Sequence, residues 1–355
     1  MQSLRPSPKQ NRNLTGLIRH TGCLLPALPM HRLYQLFLAV AAFAPVLGAT
    51  TVTKEPWSFT IRTENDSPVN SDRYYTNGVS LSFAHCTADG DALWPQLLRL
   101  PGLDRPGLLA TGFDFGQVMV TPAATSLPVP DPNDRPYAGL LYVGTSWQRL
   151  AGDHYTALKL ITGVIGPASL AEQTQKTIHR MLGLALPQGW DHQLRNEPIL
   201  NAVYERRWRS PVWGDRHGWG GDSLIVGGAM LGNVLTQAYA QFQVRAGWRP
   251  PPDFGTSLIR GIGALPPARD AASWGAHVFA GIGGFAVARN LTLDGNSFRS
   301  GPQVDRRPFV PVVEAGGVVR GHNWQLAASW NAWGREYTAQ PRRAEFVAVA
   351  FTVFH

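Results

Sequence analysis

The sequence predicts an all-β fold: a twelve-stranded antiparallel transmembrane β-barrel with a short helix on an extracellular loop. Three observations predict it. Segments of roughly ten residues with period-two alternation recur from residue 57 to the end, divided by turn-rich stretches. The last of them sets bulky Val347, Val349, Phe351 and Val353 against small or polar Ala348, Ala350 and Thr352, the pattern of a strand with lipid on one side. The N-terminus carries an export signal.

That signal starts at Met30-His31-Arg32 and continues through an almost wholly apolar run, Leu33 to Leu47. Gly48-Ala49 offers a small-residue cleavage site before Thr50. The run is short for a membrane span. Residues 1–29 then read as an upstream extension, 30–49 as a signal peptide and 50–355 as a single barrel domain. Removing residues 1–49 takes away five basic residues and no acid. The balance falls from +8 to 27 basic against 24 acidic, or +3. The basic excess therefore belongs partly to the leader, and nucleic-acid binding is not expected. The only cysteines are Cys23 and Cys86, so the mature chain has no internal disulfide.

The expected strands are 57–66, 75–86, 112–121, 138–150, 154–166, 200–209, 222–231, 235–248, 275–287, 310–320, 323–333 and 344–355. Ala151-Gly152-Asp153, Gly232-Asn233 and Arg320-Gly321-His322 supply tight turns. One segment, Pro167–Gly183, has helical spacing instead. Ser169 with Glu172 reads as a capping box, and Gly183 can end the helix. With both termini in the periplasm, the connections 66–75, 122–137 and 167–199 all lie outside the cell.

Those three connections hold the chemically interesting residues. They are Glu64-Asn65-Asp66, Asp72-Arg73-Tyr74-Tyr75-Thr76-Asn77-Gly78, Asp134-Arg135-Pro136-Tyr137-Ala138-Gly139, Gln175 and His179 on the helix, then Gly189-Trp190-Asp191, Gln193 and Asn196-Glu197-Pro198. Ester hydrolysis needs a base to activate water and a positive feature for the oxyanion. Imidazole is the side chain suited to take a proton near neutral pH, which makes His179 the candidate base. Gln175, four residues earlier, shares its helix face and could hold water or orient the ring. Asn65, Asp66 and Thr76 supply the hard oxygens that calcium takes. No Gly-x-Ser-x-Gly elbow is present. Asp134 and Arg135 read as a rim ion pair, and Tyr74, Tyr75, Tyr137 and Trp190 as interface-belt aromatics.

In set and order these residues resemble the lipid A 3′-O-deacylase family, the LpxR-type outer-membrane enzymes. The resemblance runs from about residue 56 to the C-terminus and is densest between 64 and 198. It implies a carboxylic ester hydrolase that removes a 3′-acyloxyacyl chain from the lipid A of lipopolysaccharide, with Ca2+. It also implies that Asn65, Asp66, Thr76, Gln175 and His179 match the active-site positions. The chain departs from some members at Leu127, where they have lysine, and at Ala185 and Pro187, where they have a carboxylate and a tyrosine. Asp191 or Glu197 is the candidate to replace the carboxylate at the metal beside Asp66 and Thr76. Arg135, with Tyr137, is the candidate substrate contact, its guanidinium taking a phosphate in lysine's place.

The expected protein is thus a monomer in the bacterial outer membrane, its site facing the extracellular leaflet. Access from that leaflet is expected to require an opening through the wall. Two other readings compete: a phospholipase or other lipid esterase, and a structural or transport barrel without catalysis. Bulky or charged pairs filling the lumen would argue against a pore.

Overall fold

A bilayer offers no water to unpaired backbone amides, so a sheet that crosses it must close on itself. The computed structural model describes residues 57–66, 74–87, 101–103, 107–215, 217–255 and 274–355, and within them the sheet is closed. Strand β1 (Trp57–Asn65) bonds to β2 (Tyr74–Thr87) on one edge and to β12 (Ala344–Phe354) on the other. Between them run β3 (Leu108–Thr121), β4 (Ala138–Ala151), β5 (His154–Ile165), β6 (Glu197–Arg209), β7 (Trp219–Gly232) and β8 (Leu235–Trp248). The circuit continues through β9 (Gly275–Asn290), β10 (Phe309–Arg320) and β11 (Trp324–Trp333). Each is antiparallel to the next. A two-residue ladder at Trp213–Gly214 is appended to β7. Among the described residues no helix is long and apolar enough to cross a membrane.

All twelve expected strands are present. β3, β6 and β7 begin three or four residues earlier than the alternation predicts. Their first residues, Leu108-Leu109-Ala110, Glu197-Pro198 and Trp219-Gly220-Gly221, do not alternate, yet all pair with neighbours. The expected extension (1–29) and signal peptide (30–49) lie outside the described residues, as do Asp72 and Arg73.

Period two sorts each strand into an outer and an inner row. The outer row is apolar and exposed in the isolated chain, for example Leu81, Phe83, Phe113, Phe115, Val143, Ile225, Phe242 and Ile282. The inner rows fill the lumen in two layers. Toward the rim where Trp57 meets His355, the layer is ionic. Lys159 Nζ lies 2.8 and 2.7 Å from the Asp114 carboxylate oxygens, and Arg207 binds Glu205, which also accepts from Tyr239. Arg245 grips Asp222 with two bonds of 2.7 Å and also binds Asp253 on the β8–β9 connection. Toward the opposite rim the lumen is apolar: Tyr75, Val118, Val120, Tyr142, Ile199 and Phe346 form one cluster, Val203, Tyr239, Phe285, Val310 and Val312 another. A wholly small or polar lumen, which the last strand suggested, therefore holds for only half the barrel.

That second rim is closed by a clasp between distant loops. Arg135, between β3 and β4, donates to Glu336, between β11 and β12, at 2.9 Å, and to Thr292 at 3.2 Å. Beside it Tyr337 donates to Asp134, and its phenol titrates well above the usual range because it is buried and bonded to that carboxylate. Arg135 and Asp134 are thus not an ion pair with each other; Asp134 takes the Arg135 and Ala123 amides, both at 2.7 Å.

Lys159→Ala is expected to destabilise the barrel by about 3–5 kcal/mol, because it strands a buried carboxylate. The double variant Asp114→Leu, Lys159→Met recovers most of the loss. Urea titration of the protein refolded into lipid vesicles measures both.

Candidate active site

The helix expected between β5 and β6 is present as α1 (Ala171–Leu182), reached through a 3-10 turn, Pro167–Ser169. Its start differs from the expected capping box. Leu170, in the left-handed region at φ 58°, is the residue at the cap position, and no side chain caps the helix. Ser169 Oγ bonds only weakly to the Ala171 amide at 3.4 Å, and Glu172 turns to Lys176. Gly183 ends the helix as predicted, at φ 70°.

Close approach, not capping, fixes where α1 sits. On β4 the inner row is Ala138, Tyr142, Ser146 and Gln148, so Gly139 faces outward. A Cβ on Gly139 would lie 2.2 Å from the Ala171 Cβ and 2.3 Å from Ser169 Oγ. The helix therefore rests on the outer wall of the barrel. Gln117, on the outer row of β3, secures it with a 2.6 Å bond to the Ser169 carbonyl. Gly166, at φ 102°, donates to the Gly139 carbonyl at 2.9 Å and leaves no room for a Cβ against Arg195.

The face of α1 toward the wall carries Ala171, Gln175 and His179, all buried, at the four-residue spacing the sequence predicted. His179 Nδ1 lies 2.6 Å from the Ala185 carbonyl oxygen. A carbonyl only accepts, so this bond requires the proton on Nδ1 and leaves Nε2 with its lone pair. Gln175 Oε1 accepts from Trp190 Nε1 at 2.7 Å. Because an indole only donates, the amide orientation is forced, and the buried Gln175 NH2 group has no hydrogen-bond partner among the described residues. Trp190 in turn packs on Tyr137 with ring centres 4.9 Å apart, alongside Met119 and Ala171.

The wall brings Asn65 and Asn77 to the same face. Asn65 pairs with Asn77, Asn77 with Met119, and Met119 with Gly139, a row of about 14 Å across four strands. A β-bulge between Tyr75 and Asn77 shifts the register at Thr76. Thr76 Oγ1 there meets Thr121 Oγ1 at 2.6 Å, and Thr121 follows Met119 on the outer parity of β3. Asp66 is fully buried just past Asn65, its amide 3.4 Å from the Thr76 carbonyl.

Other expected site residues lie elsewhere. Glu197 opens β6, five strands around the ring from β1, and its carboxylate accepts from Asn233 and Asn296 at 3.2 Å and from the Ser297 amide at 2.8 Å. The structure does not join it to Asp66. Arg135 is committed to the clasp. Tyr137 is buried, its hydroxyl 3.3 Å from the Thr125 carbonyl. Tyr74, Tyr75 and Trp190 are equally buried, so none of the four is a belt aromatic. The helix and the Asn65–Gly139 row lie on the outer side of the wall. Among the described residues no three His, Cys, Asp or Glu side chains are grouped to hold a metal. Asn65, Asp66, Thr76 and Thr121 carry hard side-chain oxygens, a donor type that fits calcium better than a softer ion. Sequence reasoning missed Gln117, Thr121 and the Ala185 carbonyl; only the outward glycine at 139 hinted at the docking.

A family model described as "Outer membrane protein LpxR" matches residues 36–355. Among solved structures, LpxR from Salmonella typhimurium is similar at 21% identity and a TM-score of 0.69, covering 84% of this chain and 100% of its own. The β-domain of the Bordetella autotransporter BrkA is 11% identical over 85% of this chain and 99% of its own, at a TM-score of 0.40 too low to bear on function. No curated relative matches.

Gly139→Val is expected to lift α1 from the wall while the barrel still closes. Trypsin should then cut after Arg180 in the variant at a protease level that spares the unaltered protein. Both should keep the heat-modifiable gel migration of a folded barrel.

Proposed function

We propose, from the premise that the chain belongs to the LpxR family of outer membrane proteins, that it is a lipid A deacylase. In this reading it hydrolyses the ester of a 3′-acyloxyacyl chain of lipopolysaccharide. The observation that carries the reading is the arrangement of His179: Nδ1 bonded to a main-chain carbonyl, Nε2 available, on the outer face of a barrel wall. A base in that position meets a membrane lipid without the lipid entering the lumen. The ionic layer, the apolar layer and the clasp occupy most of the lumen, which favours an enzyme over a diffusion pore.

The chemistry needs few groups. His179 Nε2 takes a proton from water as the water oxygen attacks the ester carbonyl. The Gln175 NH2 group is the side-chain donor for the oxygen that gains negative charge. The imidazolium then returns its proton to the departing 3′ oxygen, releasing the acyloxyacyl group as a carboxylic acid. Asn65, Asp66 and Thr76 are the residues that would hold Ca2+, which when bound polarises a carbonyl as a Lewis acid. The helix-bearing rim is the extracellular one, where lipid A forms the outer leaflet. A single copy suffices, since the ring leaves no barrel strand with an open edge.

His179→Ala is expected to lower deacylation by about 10²–10⁴-fold, the range for loss of a general base, with folding intact. Mass spectrometry of lipid A from cells expressing either protein reads this; equal loss of the acyl group in both would exclude His179. Asp66→Ala and excess chelator should each suppress hydrolysis by the purified protein, and full activity in chelator would remove the metal from the account.

A further inference from the structure

The apolar layer of the lumen is not completely filled. Beneath the clasp lies a cavity of about 180 Å³, walled by Val118, Leu140, Ile161, Phe285 and Trp333. None of His179, Gln175, Asn65, Asp66 or Thr76 borders it, so it is separate from the outer-face site. Arginines stand at its mouth, and their engagements differ. Arg306 is occupied: Nε reaches Asp294 at 3.1 Å, and its other nitrogens donate to the Val287 and Ala288 carbonyls. Arg135 is held by Glu336. Arg307 is different. Its backbone amide bonds to the Glu336 carbonyl at 2.7 Å, but its half-buried guanidinium has no hydrogen bond or ion pair among the described residues.

An apolar chamber with one unengaged guanidinium at its entrance has the chemistry of an alkyl carboxylate site. The chamber takes the chain, and the planar fork takes two carboxylate oxygens at once. Size limits the ligand. Apolar cavities of about 150 Å³ stay dry and accept benzene, so this one accommodates a short alkyl segment and not an entire long acyl chain. We infer that the upper lumen binds a medium-chain alkyl carboxylate, its tail beside Ile161 and Phe285 and its head on Arg307.

Native mass spectrometry of the full-length barrel released from non-ionic micelles, with sodium octanoate as the probe, tests this. A single octanoate should be retained. Arg307→Ala should weaken retention roughly tenfold, the cost of one charged hydrogen-bonding partner. Ile161→Trp should abolish it by filling the chamber, and His179→Ala should leave it unchanged. That last variant separates this site from the hydrolase: octanoate bound equally by a deacylation-dead protein belongs to the lumen. Retention that is absent in the unaltered protein, or equal in the Arg307→Ala and Ile161→Trp proteins, would overturn the inference.

Discussion

The pairing of β1 with both β2 and β12 fixes nearly everything else in this protein. Once the ring is closed, every residue of every strand is assigned to lipid or to lumen, and the chain must solve the two surfaces separately. The outside is met with Leu, Val, Ile and Phe. The inside is a narrow volume with walls all round. Ions placed there must be paired, as Lys159 is with Asp114 and Arg245 with Asp222, because an unpaired charge in that space costs several kcal/mol. Loop side chains cap both ends, with Arg135 at one rim and Asp253 at the other. A lumen filled in this way has no spare room for a lipid with several acyl chains.

The helix on the outer wall meets the same constraint. A helix must be held against a surface made for lipid, and a side chain on the wall would keep it away. Gly139 removes the obstacle, and Gln117 supplies a polar anchor on the outer row of β3, next to Phe115 and Met119. The helix then buries two polar side chains, Gln175 and His179, whose burial would be costly if they were unmatched. Each is satisfied on one side only: Gln175 through Trp190, His179 through Ala185. A main-chain carbonyl orients the imidazole whatever side chain residue 185 carries.

Legibility in the sequence divided along physical lines. Alternation is a strictly local signal, and all twelve strands were readable from it; only non-alternating openings such as Leu108-Leu109-Ala110 escaped. The shared face of Gln175 and His179 was equally local, a matter of 3.6-residue periodicity. What the sequence concealed was pairing across distance. Arg135 and Glu336 are separated by 201 residues, and nothing in either neighbourhood names the other. Glu197, which seemed available for a metal, is consumed by Asn233, Asn296 and Ser297 from two other connections. The aromatics at 74, 75, 137 and 190 read as belt residues because composition cannot say which side of a wall a ring lies on. Parity can, but the bulge in β2 breaks parity just where two of them, Tyr74 and Tyr75, sit.

That bulge ties the two surfaces together. A regular β2 would carry Tyr75 and Asn77 on the same face. With one extra residue at Thr76, Tyr75 instead turns inward to Glu64, which Arg62 also holds, while Asn77 stays opposite Asn65 on the outside. Tyr74, immediately before, adopts φ 72°, a left-handed conformation that costs a bulky residue about 1–3 kcal/mol. Burial of its ring against Tyr337, Leu293 and Ala344 offsets that cost. The wall is one strand thick, so the lumenal contacts of Tyr74 and Tyr75 set the position of the Thr76 hydroxyl and of the Asp66 amide bonded to the Thr76 carbonyl. The clasp that closes the lumen therefore reaches the strand 1–2 rim through Tyr337 and Tyr74, next to the bulge at Thr76.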